Sequence, residues 1–221
     1  MNNEAYFLLF PPQSNFNIFP QNPPRFRGVL EELFVQMSKV GMLLESIIND
    51  CLGLPTNLLK ELNDDRSWDF MVALRYLPAS DGENNGIGEH QDANSVTLVI
   101  QDGVGGLQVR KNGEWIPVVP AEGTIVVNVG DVLQVLSNKK FKSATHKVVR
   151  TKERNKYSYV FFHNIRGDKW IEPLSQFTKD IGLPPKYIGF LYKEYQDLRM
   201  RNKTHPPSRS EDVIRITHYE I

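Results

Sequence analysis

Two residues spaced for joint chemistry lie in the run Gly88-Glu89-His90-Gln91-Asp92. In extended backbone, the side chains of residues i and i+2 project to the same side. The His90 imidazole and the Asp92 carboxylate can therefore converge on one point. His146, in the strand-like run Ser143-Ala144-Thr145-His146-Lys147-Val148-Val149, would bring a second imidazole there. Two histidines and one carboxylate on one face of an octahedron are the usual ligand set of non-haem Fe(II), with the remaining positions open to substrates and O₂. His205 and His218 have no partner at ligand spacing and read as bystanders. By strand parity His163 faces away from Ser158 and Phe162, so it stays outside the site.

These residues need elements to position them. Short alternating segments are predicted as strands over Phe70–Leu77, Val96–Ile100, Gly106–Arg110, Glu114–Val118, Thr124–Val129, Val132–Leu136, Thr145–Arg150 and Tyr157–His163. Turn chemistry separates them at Asn84-Asn85-Gly86, Asp102-Gly103, Asn112-Gly113 and Glu122-Gly123. Many short strands at regular spacing imply a sandwich or barrel. Before them, apolar residues recur every three or four positions from Phe26 to Leu52, which predicts a long helix stopped near Gly53. Pro55 fits the first turn of a second, short helix through Leu59 and Leu62. A further helix is expected from about Lys186 to Met200, with Tyr187, Phe190, Leu191, Tyr195 and Leu198 as its apolar stripe.

The termini differ from this body. Residues 1–24 carry Pro11-Pro12, Pro20 and Pro23-Pro24 and read as an irregular lead-in, docked through Tyr6, Phe7, Phe10, Phe16 and Phe19. Residues 25–200 form one domain, and 201–221 a polar, mobile tail. With 26 basic and 26 acidic residues, the net charge of zero gives no electrostatic reason to expect nucleic acid or an anionic membrane as partner. The single cysteine, Cys51, permits no intrachain disulfide and suits a reducing compartment. No apolar run reaches membrane-spanning length and the first residues do not look like a secretory signal, so the cytoplasm is the default expectation.

Around the His90-x-Asp92 pair stand Ser95-Val96-Thr97-Leu98-Val99-Ile100, Gly105-Gly106-Leu107-Gln108-Val109, Asn128-Val129-Gly130-Asp131 and Tyr157-Ser158-Tyr159-Val160-Phe161-Phe162. In this order and at these spacings, roughly residues 20–200 resemble the Fe(II)- and 2-oxoglutarate-dependent dioxygenases, in particular their plant-type branch. The resemblance implies an α+β, mainly β fold: a double-stranded β-helix (jelly roll) with a long backing helix and a C-terminal helix. It also implies hydroxylation, desaturation or demethylation of a small organic molecule, a plant specialised metabolite or hormone. Fe(II), 2-oxoglutarate and O₂ would be consumed or used, ascorbate could assist, succinate and CO₂ would leave, and the protein would act as a monomer.

For the cosubstrate the resemblance implies a basic residue and a hydroxyl on a late strand, with a tyrosine from an earlier one. Lys156 and Ser158 stand at the late-strand positions and Tyr76 matches the tyrosine. Lysine replaces the family's arginine, exchanging a planar two-pronged fork for a point charge. Lys156 is thus either the anchor for the far carboxylate of 2-oxoglutarate or an ordinary strand residue. Phe162 shares that face and could stack on a flat substrate or simply pack the barrel. The branch also carries strands ahead of the long helix, so the chain is expected to be shortened at its N-terminus, with residues 1–24 as a substitute. Two alternatives follow from these departures: a truncated or degenerate relative without catalysis, and an Fe(II) oxidase that does not use 2-oxoglutarate.

Overall fold

In the computed structural model, which describes residues 4–55, 57–80 and 85–221, the long hydrophobic repeat forms one helix, α1 (Phe26–Cys51). Its inner stripe is Leu30, Phe34, Met37, Gly41, Glu45 and Ile48, all buried. The stripe lies on a five-stranded antiparallel sheet of β1 (Glu4–Leu9), β2 (Phe70–Tyr76), β9 (Lys156–His163), β4 (Val96–Gln101) and β7 (Val126–Val129), in that spatial order. A second antiparallel sheet orders β3 (Asn85–His90), β8 (His146–Val149), β5 (Leu107–Lys111) and β6 (Glu114–Pro117). Between β5 and β6 the chain turns in two residues, Asn112 (φ 52°) and Gly113 (φ 86°), where Lys111 pairs with Glu114. Both turn residues are left-handed, as the tightest hairpins require.

Strand β9 divides the molecule. Lys156, Ser158, Val160 and Phe162 face a cavity shared by both sheets. On the opposite face, Phe161 meets Phe34 of α1 edge-on at 5.1 Å and His163 lies against Glu45 of the same helix at 3.4 Å. Parity within one strand thus separates the cavity wall from the packing under the helix. His163 is fully buried, and its Nδ1 is 2.7 Å from the Arg66 guanidinium. A Cβ at Gly41 would run into that ring.

Gly41→Ala is therefore expected to destabilise the fold. Alanine gains roughly 1 kcal/mol of helix propensity. Overpacking costs about 1–3 kcal/mol, and disturbing a buried hydrogen-bonded network costs a similar amount. The net loss of about 1–5 kcal/mol would show in denaturant melts, and a more stable variant would refute this packing account.

The structure differs from the sequence expectations at both ends and at two internal segments. The lead-in is not wholly irregular, because Glu4–Leu9 pairs with Met71–Tyr76 of β2. Phe7 docks against Phe19 and Phe26 at 5.7 and 5.4 Å, whereas Phe16 is exposed; the Tyr6 side chain lies outside the described residues. Val132–Leu136 is not a strand but part of helix α2 (Asp131–Leu136), buried at every residue. A fully buried short run has no polar face, so periodicity cannot separate helix from strand there. The Asn84-Asn85-Gly86 turn begins outside the described residues, and from Asn85 onward the chain is strand β3. The short helix after Pro55 is one 3₁₀ turn, Lys60–Leu62.

The last helix, α3 (Tyr192–Thr204), starts later than predicted. The residues before it form β11 (Phe190–Leu191), paired with β10 (Trp170–Ile171). The C-terminal residues are docked rather than loose. Ile216 is fully buried, and the Tyr219 ring packs on Phe190 and Tyr195 at 4.7 and 5.3 Å. No helix among the described residues is long and apolar enough to cross a membrane.

Candidate metal and cosubstrate site

His90 closes β3 and His146 opens β8, and the two are register partners across that pair. Their rings lie 4.3 Å apart between centroids. Asp92 is in the loop beyond β3, so only the histidine of the pair is held in regular strand. Its Oδ1 stands 3.7 Å from the Nε2 of each histidine, and the three ligand atoms all lie within 4.8 Å of one another.

The orientation of each group is fixed from behind. His90 Nδ1 is 2.8 Å from the Gly88 carbonyl, and His146 Nδ1 is 3.0 Å from the Ala144 carbonyl. A carbonyl only accepts, so each Nδ1 donates, and each neutral ring turns an unprotonated Nε2 inward. The other carboxylate oxygen, Oδ2, accepts from Thr97 Oγ1 at 2.8 Å and from Asn128 Nδ2 at 2.7 Å. Two nitrogen lone pairs and a carboxylate oxygen therefore converge with no proton to share between them. A divalent cation satisfies that arrangement, and two histidines with one carboxylate suit Fe(II). The residues present fit the metal.

Their protonation agrees. Burial, then the neighbouring His146 ring, pushes His90 down to about 4, so it stays neutral near pH 7. Burial opposes ionisation of Asp92, but the two histidines and the hydrogen bonds from Thr97 and Asn128 outweigh it and hold the carboxyl below the usual range. A consequence follows for the metal-free protein. When unfolded, His90 takes up its proton near 6.5, and in the native site only near 4. Falling pH therefore favours the unfolded state across that window, and the depressed Asp92 acts in the same sense at lower pH. The expected loss between about pH 7 and about pH 5 is roughly 2 kcal/mol, read from denaturant melts without metal. It should shrink in His90→Gln; equal pH dependence in both proteins would refute it.

The same cavity receives Tyr76, Lys156, Ser158 and Phe162. Lys156 is only 2% exposed, so it is not a solvated strand residue. Its Nζ donates to Gln101 Oε1 at 3.2 Å and lies 3.9 Å from Asp102 Oδ1. Burial pushes its ammonium pKa down, and Asp102 pulls the other way. Tyr76 and Lys156 are register partners, and Ser158 sits between Leu74 and Gln101 across the three strands. Phe162 stacks on Phe70 at 4.6 Å while bordering the cavity, so packing accounts for one of its faces.

Several contributors were not singled out from sequence. Nothing in the local sequence gives Thr97 or Asn128 a role; only the fold shows them behind Asp92. Gln101 and Lys203 also line the cavity. Helix α3 braces the ligand loop. Arg199 donates to the Gln91 carbonyl at 2.5 Å and approaches Asp131 at 3.6 Å, while the Asp131 amide donates to the Asp92 carbonyl at 2.8 Å. No local sequence pattern reports such contacts, because the partners are far apart in the chain.

A cavity between two antiparallel sheets, with two imidazoles and one carboxylate converging in it, defines a mononuclear non-haem iron type of protein. Comparison narrows the class. The family model for the 2OG-Fe(II) oxygenase superfamily matches residues 68–165. The chain is 31% identical over 206 residues to 1-aminocyclopropane-1-carboxylate oxidase of Musa acuminata, covering 90% of this chain and 67% of that protein. It is 32% identical over 196 residues to flavonol synthase/flavanone 3-hydroxylase of Arabidopsis thaliana, covering 87% of this chain and 58% of that protein. The crystal structure of JOX2 in complex with 2OG, Fe and JA matches with a TM-score of 0.81 and 26% identity, over 95% of this chain and 63% of that one. The chain belongs to the 2OG-Fe(II) oxygenase superfamily, on the plant-type branch. It spans about two thirds or less of the length of the curated relatives it matches.

Proposed function

We propose that the protein is an Fe(II)- and 2-oxoglutarate-dependent oxygenase acting on a small organic substrate. The observation that carries this reading is the convergence of His90, Asp92 and His146 in the cavity that also holds Lys156, Ser158 and Tyr76. In this reading the two facing sheets are the double-stranded β-helix. Bound Fe(II) with 2-oxoglutarate supplies O₂ activation, releasing succinate and CO₂ as the substrate is oxidised. The chain's own share is positioning. His90, Asp92 and His146 would hold the metal on one face and leave the opposite face open. Thr97 and Asn128 keep one Asp92 oxygen occupied, so the other is directed at the metal position. Lys156, Ser158 and Tyr76 would hold the far carboxylate of the cosubstrate.

Val99, Val126, Val160 and Phe162 supply an apolar wall that limits water and suits a largely hydrophobic substrate. The plant relatives named above support a plant metabolite or hormone as the substrate class. The test is an anaerobic titration of the Fe(II) protein with 2-oxoglutarate. A visible charge-transfer band with saturable intensity is the expected result. Lysine in place of arginine favours one competing reading, an Fe(II) oxidase without this cosubstrate. Iron binding with no band would overturn 2-oxoglutarate as the cosubstrate and favour that reading instead. Turnover with Fe(II), ascorbate and candidate plant metabolites, scored as succinate release, then addresses the substrate.

A further inference from the structure

One polar atom in the wall of the cavity has no partner among the described residues. Gln101 Nε2 is sealed from solvent and makes no hydrogen bond among the described residues. A buried amide donor left unpaired is costly, and such a group in a binding cavity points to an absent acceptor. The orientation of this amide is fixed chemically. Lys156 Nζ is donor-only, so the atom it meets at 3.2 Å must be the amide oxygen. The remaining amide atom, Nε2, is then a donor that lacks an acceptor. Ser158 is the register partner of Gln101 on β9, and adjacent partners on one pleat face carry their side chains to the same side. Gln101, Lys156 and Ser158 all line the cavity.

We infer that Gln101 is a cosubstrate-binding residue whose amide N–H supplies the second prong that Lys156, standing where the family has arginine, cannot supply. The inference rests on the 2-oxoglutarate reading above. An arginine presents two parallel donors to one carboxylate, whereas a lysine presents a single centre of charge. Here the ammonium and the oriented amide together form a two-point donor set for a carboxylate, with the Ser158 hydroxyl beside it. Asp102 does not compete as a partner for the amide. Its oxygens accept backbone N–H groups of Tyr157 at 2.6 Å and Val104 at 3.1 Å. Its charge lies 3.9 Å from the ammonium and offsets part of the positive field, which increases the weight of the neutral donor. The ligand this pair recognises is the terminal carboxylate of a short dicarboxylic 2-oxo acid.

The test measures dissociation constants on the anaerobic Fe(II)-loaded full chain with two probes: 2-oxoglutarate, and 2-oxopentanoate, which lacks the far carboxylate. Gln101→Leu is expected to weaken 2-oxoglutarate about 10- to 100-fold, as loss of a hydrogen bond to a charged group does. Binding of 2-oxopentanoate and of Fe(II) should stay as in the parent. Gln101→Glu, which removes the donor and sets a carboxylate against the ligand, should weaken 2-oxoglutarate more than Gln101→Leu. In a Lys156→Arg background, where the fork supplies both prongs, adding Gln101→Leu should cost no more than about threefold.

Three results would overturn the inference: parental 2-oxoglutarate affinity in Gln101→Leu, equal weakening of both probes, or the same Gln101→Leu cost in both backgrounds. If Lys156→Arg itself fails to bind, the two-probe comparison in the lysine background decides. A parent that binds Fe(II) but not 2-oxoglutarate would overturn the cosubstrate reading, and this inference with it. A parent that binds 2-oxoglutarate with Gln101 irrelevant would overturn this inference alone.

Discussion

His146→Ala is expected to abolish tight Fe(II) binding while leaving the sheets folded. Each of the three donors would supply a direct bond to the metal, and the site has no spare donor of the same kind: among the described residues, His90, Asp92 and His146 are the only group of its type that could hold a metal ion. Removing a residue behind a ligand typically costs 10–100-fold in metal affinity, so removing the ligand itself should cost more than roughly 100-fold. Thr97→Val provides the scale, because Thr97 holds only the outer oxygen of Asp92. It should fall within about 10–100-fold, well short of His146→Ala. The measurement is an anaerobic Fe(II) titration of parent, Thr97→Val and His146→Ala, with thermal melts of the metal-free forms as the folding control. His146 is partly exposed and its ring serves no apolar core cluster, so the metal-free melts should nearly coincide. An His146→Ala protein that binds iron as tightly as the parent would refute the proposed ligand set.

What the sequence disclosed, and what it hid, divides along one line. Periodicity is local, and it was sufficient wherever an element has one wet and one dry face. Helix α1 carries such a stripe, and its end came within a residue of the prediction. Strand β9 buries Lys156 and Ser158 on one face and Phe161 and His163 on the other, yet parity still separated Phe162 from His163, because a strand's alternation is purely geometric. The signal fails where both faces are dry or where pairing alone makes the strand. Helix α2 is buried all round. Strand β3 contains Gly86, which reads as a turn residue; its pairing with β8 is interrupted by irregularities on both sides of Ile87.

The candidate site was legible to a similar depth. His90 and Asp92 are close in sequence, and His146 came from the spacing of surrounding runs. The groups that orient them were not legible. Thr97 reaches Asp92 from the start of β4, Asn128 from β7, and Arg199 steadies Gln91 from α3. Each is an ordinary polar residue whose role exists only once two distant segments are packed. Gln101 is the sharpest instance. It ends a predictable strand, and nothing in its neighbourhood marks it until the lysine beside it fixes which way its amide faces.

Lys156→Met is expected to remove most 2-oxoglutarate binding while sparing iron. Methionine keeps an unbranched apolar stem, so the buried space is filled and the change isolates the charge. Lys156 is 2% exposed, so its ammonium is largely withdrawn from bulk solvent and its loss is poorly compensated by hydration. A charge-assisted hydrogen bond is worth about 1.5–3 kcal/mol, or roughly 10- to 150-fold in the dissociation constant. A carboxylate left buried and unpaired beside Asp102 adds a further penalty, and truncating one partner of a buried charge pair typically costs about 2–5 kcal/mol. The larger range applies here, since Asp102 Oδ1 lies 3.9 Å from the ammonium and would repel the ligand once the cation is gone.

Ser158→Ala removes a neutral hydroxyl and should cost only about 3- to 10-fold. The ordering therefore discriminates: Lys156→Met well above Ser158→Ala, with Fe(II) affinity equal in both. Anaerobic 2-oxoglutarate titrations of the Fe(II) forms measure it directly. Raised pH offers an independent check, because burial has already pushed the ammonium of Lys156 below its ordinary value. Its proton is lost at lower pH than that of an exposed lysine, so parental 2-oxoglutarate affinity should decline in the alkaline range. The Lys156→Met protein, with no group to titrate there, should show a flat profile. Parental 2-oxoglutarate affinity in Lys156→Met would remove lysine from the binding site and leave the far carboxylate to other donors of the cavity.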